Sequence, residues 1–305
     1  MRPYEPDDLQ AVLELLRLTL GESDVNRRAP ELFSWKHIDN PFGPSIMLVA
    51  EDNVGMVGFR AFMRWELEAI DGARISCLRP VDTATHPRAR RQGIFRRLTM
   101  EAVDMARLQG VDLIFNTPNP VSKAGYLTMG WTEVGRIGIL FRPMAGFFRG
   151  GKRGVPSVPG STSWTDQKIS HRPGLGLRTP RTTRYLDWRF RHPFAGYRVV
   201  GNSDGRAVVR PNSRRGRSEL VVSDLFGPGA GRALRLGAKA SDADYLVGWF
   251  RPGSPERHQS RSAGMFRIPG VTALTIVAQP LRPGLEWLLT GLEAWDLAMS
   301  DLELL

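Results

Sequence analysis

The stretch VDTATHPRARRQGIFRRL, residues 81–98, decides how this chain is read. A β-rich run ends at His86-Pro87, an arginine-rich turn follows, and Gly93 opens a segment of helical periodicity. The first N–H groups of a helix attract anions, Gly93 lets the backbone approach a ligand closely, and Arg90 and Arg91 add positive charge. The pattern predicts a site for a pyrophosphate. Beyond it, Leu98, Ala102, Met105 and Leu108 recur at spacings of three and four, an apolar stripe suited to lie against a sheet. The opening DDLQAVLELLRLTLG has a similar stripe of Leu9, Val12, Leu13, Leu16 and Leu20.

Working outward, NTPNPVSKAGYLTMGW (116–131) stands about 25 residues beyond the arginine-rich turn. Together the two stretches resemble the GNAT N-acetyltransferases. Arg90-Arg91-Gln92-Gly93-Ile94 is similar to that family's acyl-CoA loop, with Phe95 where the family has a small residue. Asn119, Tyr126, Gly130 and Trp131 fit its second signature. The resemblance implies that acetyl-CoA is the co-substrate. Thr83, Ala84 and Thr85 on the fourth strand, the loop Arg90, Arg91, Gln92, Gly93, Ile94 and Phe95, and Asn119 would hold it. It also implies splayed fourth and fifth strands, a fourth-strand backbone N–H on the thioester oxygen, and Tyr126 as the acid that protonates the CoA thiolate. Asp82 is the candidate for drawing the amine proton through water. The alternatives are a packed aromatic for Tyr126, a structural polar group for Asp82 and a strand-end role for His86. His37 and Asp39 are weaker candidates for facing an acceptor, and Cys77 reads as a buried small hydrophobe.

The two halves repeat one unit. FSWKHIDNPFG (33–43) is echoed by LDWRFRHPFAG (186–196), and MLVAEDNVGMVGFR (47–60) by YRVVGNSDGRAVVR (197–210). A third strand, a helix-like run and a short apolar strand follow in each half, in the same order. We therefore expect an α/β (α+β) protein of two GNAT-like domains, each a mixed, mostly antiparallel sheet flanked by helices. The catalytic domain is placed at 1–145, a Gly/Pro/Ser-rich basic linker at 146–180, and a degenerate second domain at 181–305, completing the acceptor cleft. In that copy GPGAGRALRLG (227–237) replaces the phosphate loop without paired arginines, and no second signature is visible.

Length and composition bound the rest. At 305 residues with one cysteine, the chain can bury a full core, and a disulfide framework or Cys-built metal site is excluded. The five scattered histidines form no ligand motif, so no metal is expected. No apolar run approaches the roughly 18 residues of a membrane span, and MRPYEPDDLQ is acidic where a secretion signal is basic, which leads us to expect a cytoplasmic protein without membrane partners. The net charge of +11 is concentrated between Arg142 and Arg217, where seventeen Lys and Arg face three acids. That run lacks interleaved aromatics in its linker portion, so no specific nucleic-acid binding is expected. The expected activity is transfer of acetyl from acetyl-CoA to a primary amine of a small molecule. The alternatives are an aminoacyl-tRNA-dependent transferase of the tandem type and a non-catalytic acyl-CoA-binding protein. The sequence leaves the oligomeric state open.

Overall fold

The computed structural model describes residues 1–148, 154–161 and 176–303. Most of the expected linker, 149–153 and 162–175, lies outside the described residues, and with it part of the basic run. The chain divides into two compact units, one of residues 1–135 with 275–290, the other of 136–274 with 291–304.

In the first unit β1 (Arg2–Pro3), β2 (Ile46–Asp52), β3 (Gly55–Glu68) and β4 (Arg74–Thr85) pair antiparallel in that order. Next comes β5 (Leu113–Asn116), parallel to β4, and on its far side residues 277–280 of a late strand, β11 (Phe266–Pro280), antiparallel to it. The last long strand of the chain thus supplies a rung to the first unit. The helices are α1 (Leu9–Leu20), α2 (Pro30–His37), α3 (Ile94–Leu108) and α4 (Pro120–Leu127).

Both stripes read from the sequence are corrected at their ends. In α3 the buried row is Ile94, Leu98, Ala102 and Ala106, flanked by Thr99 and Val103. Met105 is only partly buried and Leu108, in the last turn, is 89% exposed. In α1 Val12, Leu13, Leu15 and Leu16 are buried, whereas Leu20 is exposed. A helix end that overhangs its sheet leaves its apolar residues in water whatever their spacing.

The second unit repeats the plan. Residues of β6 (Thr132–Pro143) pair antiparallel with β10 (Tyr245–Gly248), which runs parallel to β9 (Arg217–Phe226); β9, β8 (Arg206–Arg214) and β7 (Arg198–Gly201) then pair antiparallel. Its helices are α5 (Thr183–Phe190), α6 (Ala230–Lys239), α7 (Pro255–Ser262) and α8 (Met299–Leu302). Trp35 on α2 and Trp188 on α5, the repeat's landmarks, are both buried. Helix α7 is the counterpart of α4 that the sequence did not show: Ser254 caps it as Asn119 caps α4, a proline follows each cap, and Gly264 stands beyond its end as Gly130 does beyond α4. No tyrosine lies in α7.

The Gly-rich turn of the second unit is closed by its own hairpin. The N–H of Gly229 donates to the carbonyl of Asp204 at 3.1 Å; a side chain on Gly205 would run into the Gly229–Ala230 backbone, and one on Gly229 into the Asp204 carboxylate. The start of α6 is occupied by protein.

Candidate active site

The start of α3 is built differently. Arg91 and Gly93 both hold positive φ, +64° and +72°, and Gly93 is the N-cap. Among the described residues none accepts from the backbone N–H groups of Arg91 through Phe95. Arg90, Arg91, Gln92 and Gly93 are exposed, and neither arginine is in an ion pair among the described residues. Space beside Gly93 is open. Unsatisfied donors, an open approach and unpaired cations fit the pyrophosphate of a CoA ester. His86 caps the turn before the loop, its Nδ1 accepting from the Arg88 N–H at 3.2 Å, which is the strand-end role. Arg88 in turn reaches Asp52 at 2.9 Å in the β2–β3 turn.

Phe95 does not crowd this loop. Its ring packs edge-on to Tyr126, with centroids 5.6 Å apart, over the bare face of Gly125, where an added Cβ would come within 2.8 Å of the ring. The large residue in the first motif is accommodated by the missing side chain in the second.

Strands β4 and β5 separate early. Their parallel ladder holds at Cys77–Leu113 and Leu78–Ile114 and then stops, although both strands continue. The corresponding β9–β10 ladder starts at the same relative position and runs four residues, Glu219–Tyr245 to Val222–Gly248. The first unit has Pro80 where the second has Val222, and a proline has no N–H to give a ladder. Thr83, Ala84 and Thr85 therefore lie on a stretch of β4 that is paired to β3 but not to β5.

That stretch is bulged. The β3–β4 register shifts between Phe59 and Ala61, so Arg60 stands opposite both Asp82 and Thr83, and Asp82 has φ of +44°. The Asp82 carboxylate receives Lys36 Nζ at 3.0 Å, His37 Nε2 at 3.0 Å and Arg28 Nη1 at 3.2 Å. Burial favours its neutral form, but the three partners outweigh burial and hold its pKa far below the carboxylate range. A carboxylate held this way has little affinity for a proton from an amine. The geometry thus favours fixing the bulge over taking that proton. His37 is fully buried between Asp82 and Ser45, whose Oγ is 2.9 Å from Nδ1; burial lowers its pKa more than Asp82 raises it. His37 stands behind Asp82, and exposed Asp39 bonds Ser34 at 2.9 Å.

Tyr126 is buried, against Phe95 and Trp131, and its Oη accepts from Arg60 Nη2 at 2.6 Å. Asn119 is exposed and its Oδ1 accepts from the Ser122 N–H at 2.9 Å, capping α4; this is a reason for its presence apart from any ligand. Cys77 is buried, with burial pushing its thiol pKa well up, as an inert core residue requires. Sequence reasoning missed Arg60. Its only signal was an arginine closing each of the two repeated stretches of sequence, 47–60 and 197–210. Among the described residues no group of His, Cys, Asp and Glu could hold a metal, and no helix is long and apolar enough to cross a membrane.

Comparisons with known proteins bear on the family and the fold. Residues 1–134 match the acetyltransferase (GNAT) domain family. Among solved structures, a probable N-acyltransferase of unknown function from Enterococcus faecalis V583 superposes with a TM-score of 0.63 at 13% identity, over 92% of this chain and 72% of that one. Eis1 from Mycobacterium abscessus gives 0.57 at 14% identity, over 91% and 72%. A tandem GNAT protein from the clavulanic acid biosynthesis pathway gives 0.54 at 12% identity, over 93% and 98%. No curated protein matches the chain. Residues 1–134 thus match the acetyltransferase (GNAT) domain, and the chain as a whole shares its fold with the tandem GNAT structures.

Proposed function

We propose that the protein is an acyl-CoA-dependent N-acetyltransferase that moves acetyl from acetyl-CoA directly to a primary amine of a small molecule, such as an amino sugar or aminoglycoside-like compound. The observation that carries this reading is the opening of the β4–β5 ladder after Leu78, next to a helix start with unsatisfied N–H groups, in the first unit alone. The pyrophosphate rests on the backbone of Arg91–Phe95, with Arg90 and Arg91 as counter-charges. The pantetheine arm lies beside Thr83–Thr85, whose backbone supplies an N–H for the thioester oxygen. The neutral amine attacks the carbonyl carbon, the C–S bond breaks, Tyr126 gives its phenolic proton to the departing thiolate, and the proton shed by the acylated nitrogen passes through water and restores the phenol. Asp82 holds the β4 bulge in place.

Calorimetric titration with acetyl-CoA, followed by thiol release with glucosamine, kanamycin, spermidine and a free peptide N-terminus, tests the proposal. Micromolar binding with turnover of one amine is the expected result. Binding without thiol release to any amine indicates a CoA-binding protein, and absence of binding removes the reading altogether.

A further inference from the structure

Arg60 is the largest unexplained charge in the first unit. It lies in the middle of β3 with no exposed surface, and its guanidinium carbon sits 4.8, 5.4 and 5.3 Å from the ring centroids of Phe62, Phe95 and Tyr126. Among the described residues no carboxylate pairs with it, and its Nε is buried without a hydrogen-bond partner. Two of its donors go to uncharged oxygens: Nη1 to the Thr83 hydroxyl and Nη2 to the Tyr126 hydroxyl.

The second unit shows the ordinary solution. Arg210 on β8 is buried likewise, but it meets the Glu303 carboxylate at 2.5 Å. There the charge is neutralised. In the first unit a full positive charge is retained inside an aromatic cage, a costly arrangement if it serves packing alone.

We infer that Arg60 is a positioning residue for proton delivery by Tyr126, an inference that rests on the reading of Tyr126 as the acid. A guanidinium has donors and no acceptor, so Arg60 can only occupy a lone pair of the phenolic oxygen. The Tyr126 O–H is thereby prevented from turning toward β3 and has to donate elsewhere. After the proton leaves, the same guanidinium faces the phenolate, a charge that exists only once transfer has begun. Its other arm, on Thr83, ties the acid to the bulged part of β4 where the thioester lies in the proposed complex. One cation thus sets the direction of the acid and its distance from the strand.

A double-mutant cycle in the full chain tests this, using acetyl-CoA and the amine that turns over fastest in the panel above. Arg60→Met keeps an apolar chain of similar length among the three rings. It is expected to lose about 100-fold in kcat, within the usual range for general acid catalysis, with KM for acetyl-CoA changed less than about threefold. Arg60→Lys, which keeps the cation, should recover at least about tenfold of that loss. The decisive arm is Arg60→Met placed on Tyr126→Phe: with the acid gone, removing Arg60 should cost less than about threefold more. If the two losses multiply, or if Lys restores nothing, Arg60 acts through the fold and the inference is wrong. If Tyr126→Phe itself loses less than about threefold, it is the reading of Tyr126 that fails. Should Arg60→Met not fold, judged by loss of acetyl-CoA binding in calorimetry, the Lys variant alone decides: a kcat loss beyond about threefold at unchanged KM supports the role, and a change confined to KM overturns it.

Discussion

Replacing Asp82 by Asn removes one negative charge and little else. Asn tolerates a φ of +44° about as well as Asp, so the β4 bulge is not strained by the change itself. What it loses is the common partner of three cationic or polar groups: Lys36 and Arg28, whose side chains are 3% and 6% exposed, and His37, which has no exposed surface. Arg28 keeps bonds to the Gly21 carbonyl at 3.1 Å and the Asn26 side chain at 3.0 Å, so most of the penalty falls on Lys36. Breaking a buried ion pair by removing one partner costs about 3–5 kcal/mol, because the other charge is left in place. For a unit of this size each kcal/mol lowers Tm by roughly 2–4 °C, which gives a drop of about 6–20 °C. Urea unfolding at pH 7.5, where Asp82 is fully ionised, measures the cost directly. Adding Lys36→Met should return a large part of it, since neither charge then remains. A cost below about 1 kcal/mol for Asp82→Asn, or no recovery in the double variant, would mean that the cluster is hydrated and that Asp82 is available to take a proton after all.

Three further outcomes follow from the same geometry. Gly93→Val should weaken acetyl-CoA binding at least about tenfold, or about 1.4 kcal/mol, measured by calorimetry; positive φ of +72° adds about 1–2 kcal/mol of backbone strain to the free protein, and unchanged affinity would remove the loop from the CoA site. Gly125→Ala drives a methyl into the Phe95 ring and should cost about 1–3 kcal/mol in chemical unfolding, with Phe95→Leu restoring most of it; a stabilising effect would show that the rings move aside freely. In the second unit Asp224 and Asp301 both contact Arg181, at 3.1 and 2.7 Å, and burial pushes the Asp224 pKa up to about 6. The folded state then holds a proton that the unfolded chain releases near pH 4, so this group's contribution is full below about pH 4 and is lost as pH rises to about 6. Asp224→Asn should therefore match the wild type near pH 4 and exceed its stability at pH 7.5 by up to about 3 kcal/mol; a variant less stable at pH 7.5 would refute the assignment.

Much of the site was legible because it is local. The cap at Gly93, the paired arginines, the Asn119-Pro120 helix start and the seven-residue step to Tyr126 are set by helix geometry and by which backbone donors a helix start leaves unsatisfied. Those rules operate within a turn or two of chain. The repeat was legible for the same reason, since each strand and hairpin carries its own period and turn residues. What the sequence concealed are pairings between distant segments. Arg60 meets Tyr126 across 66 positions and Asp82 meets Lys36 across 46; residues 277–280 join a strand more than 160 positions earlier. No spacing rule connects such residues. Burial does, because a charge removed from water takes whichever partner the fold brings within 3 Å. Asp82 shows the consequence: the sequence leaves it between a base and a structural polar group, and Lys36, His37 and Arg28, brought from α2 and the segment before it, surround its carboxylate in the bulge. Local chemistry determined where the open helix start and Tyr126 would be found. Tertiary packing decided the charge state of the groups around them, because proton affinity depends on desolvation and neighbouring charge, and both are properties of the folded chain.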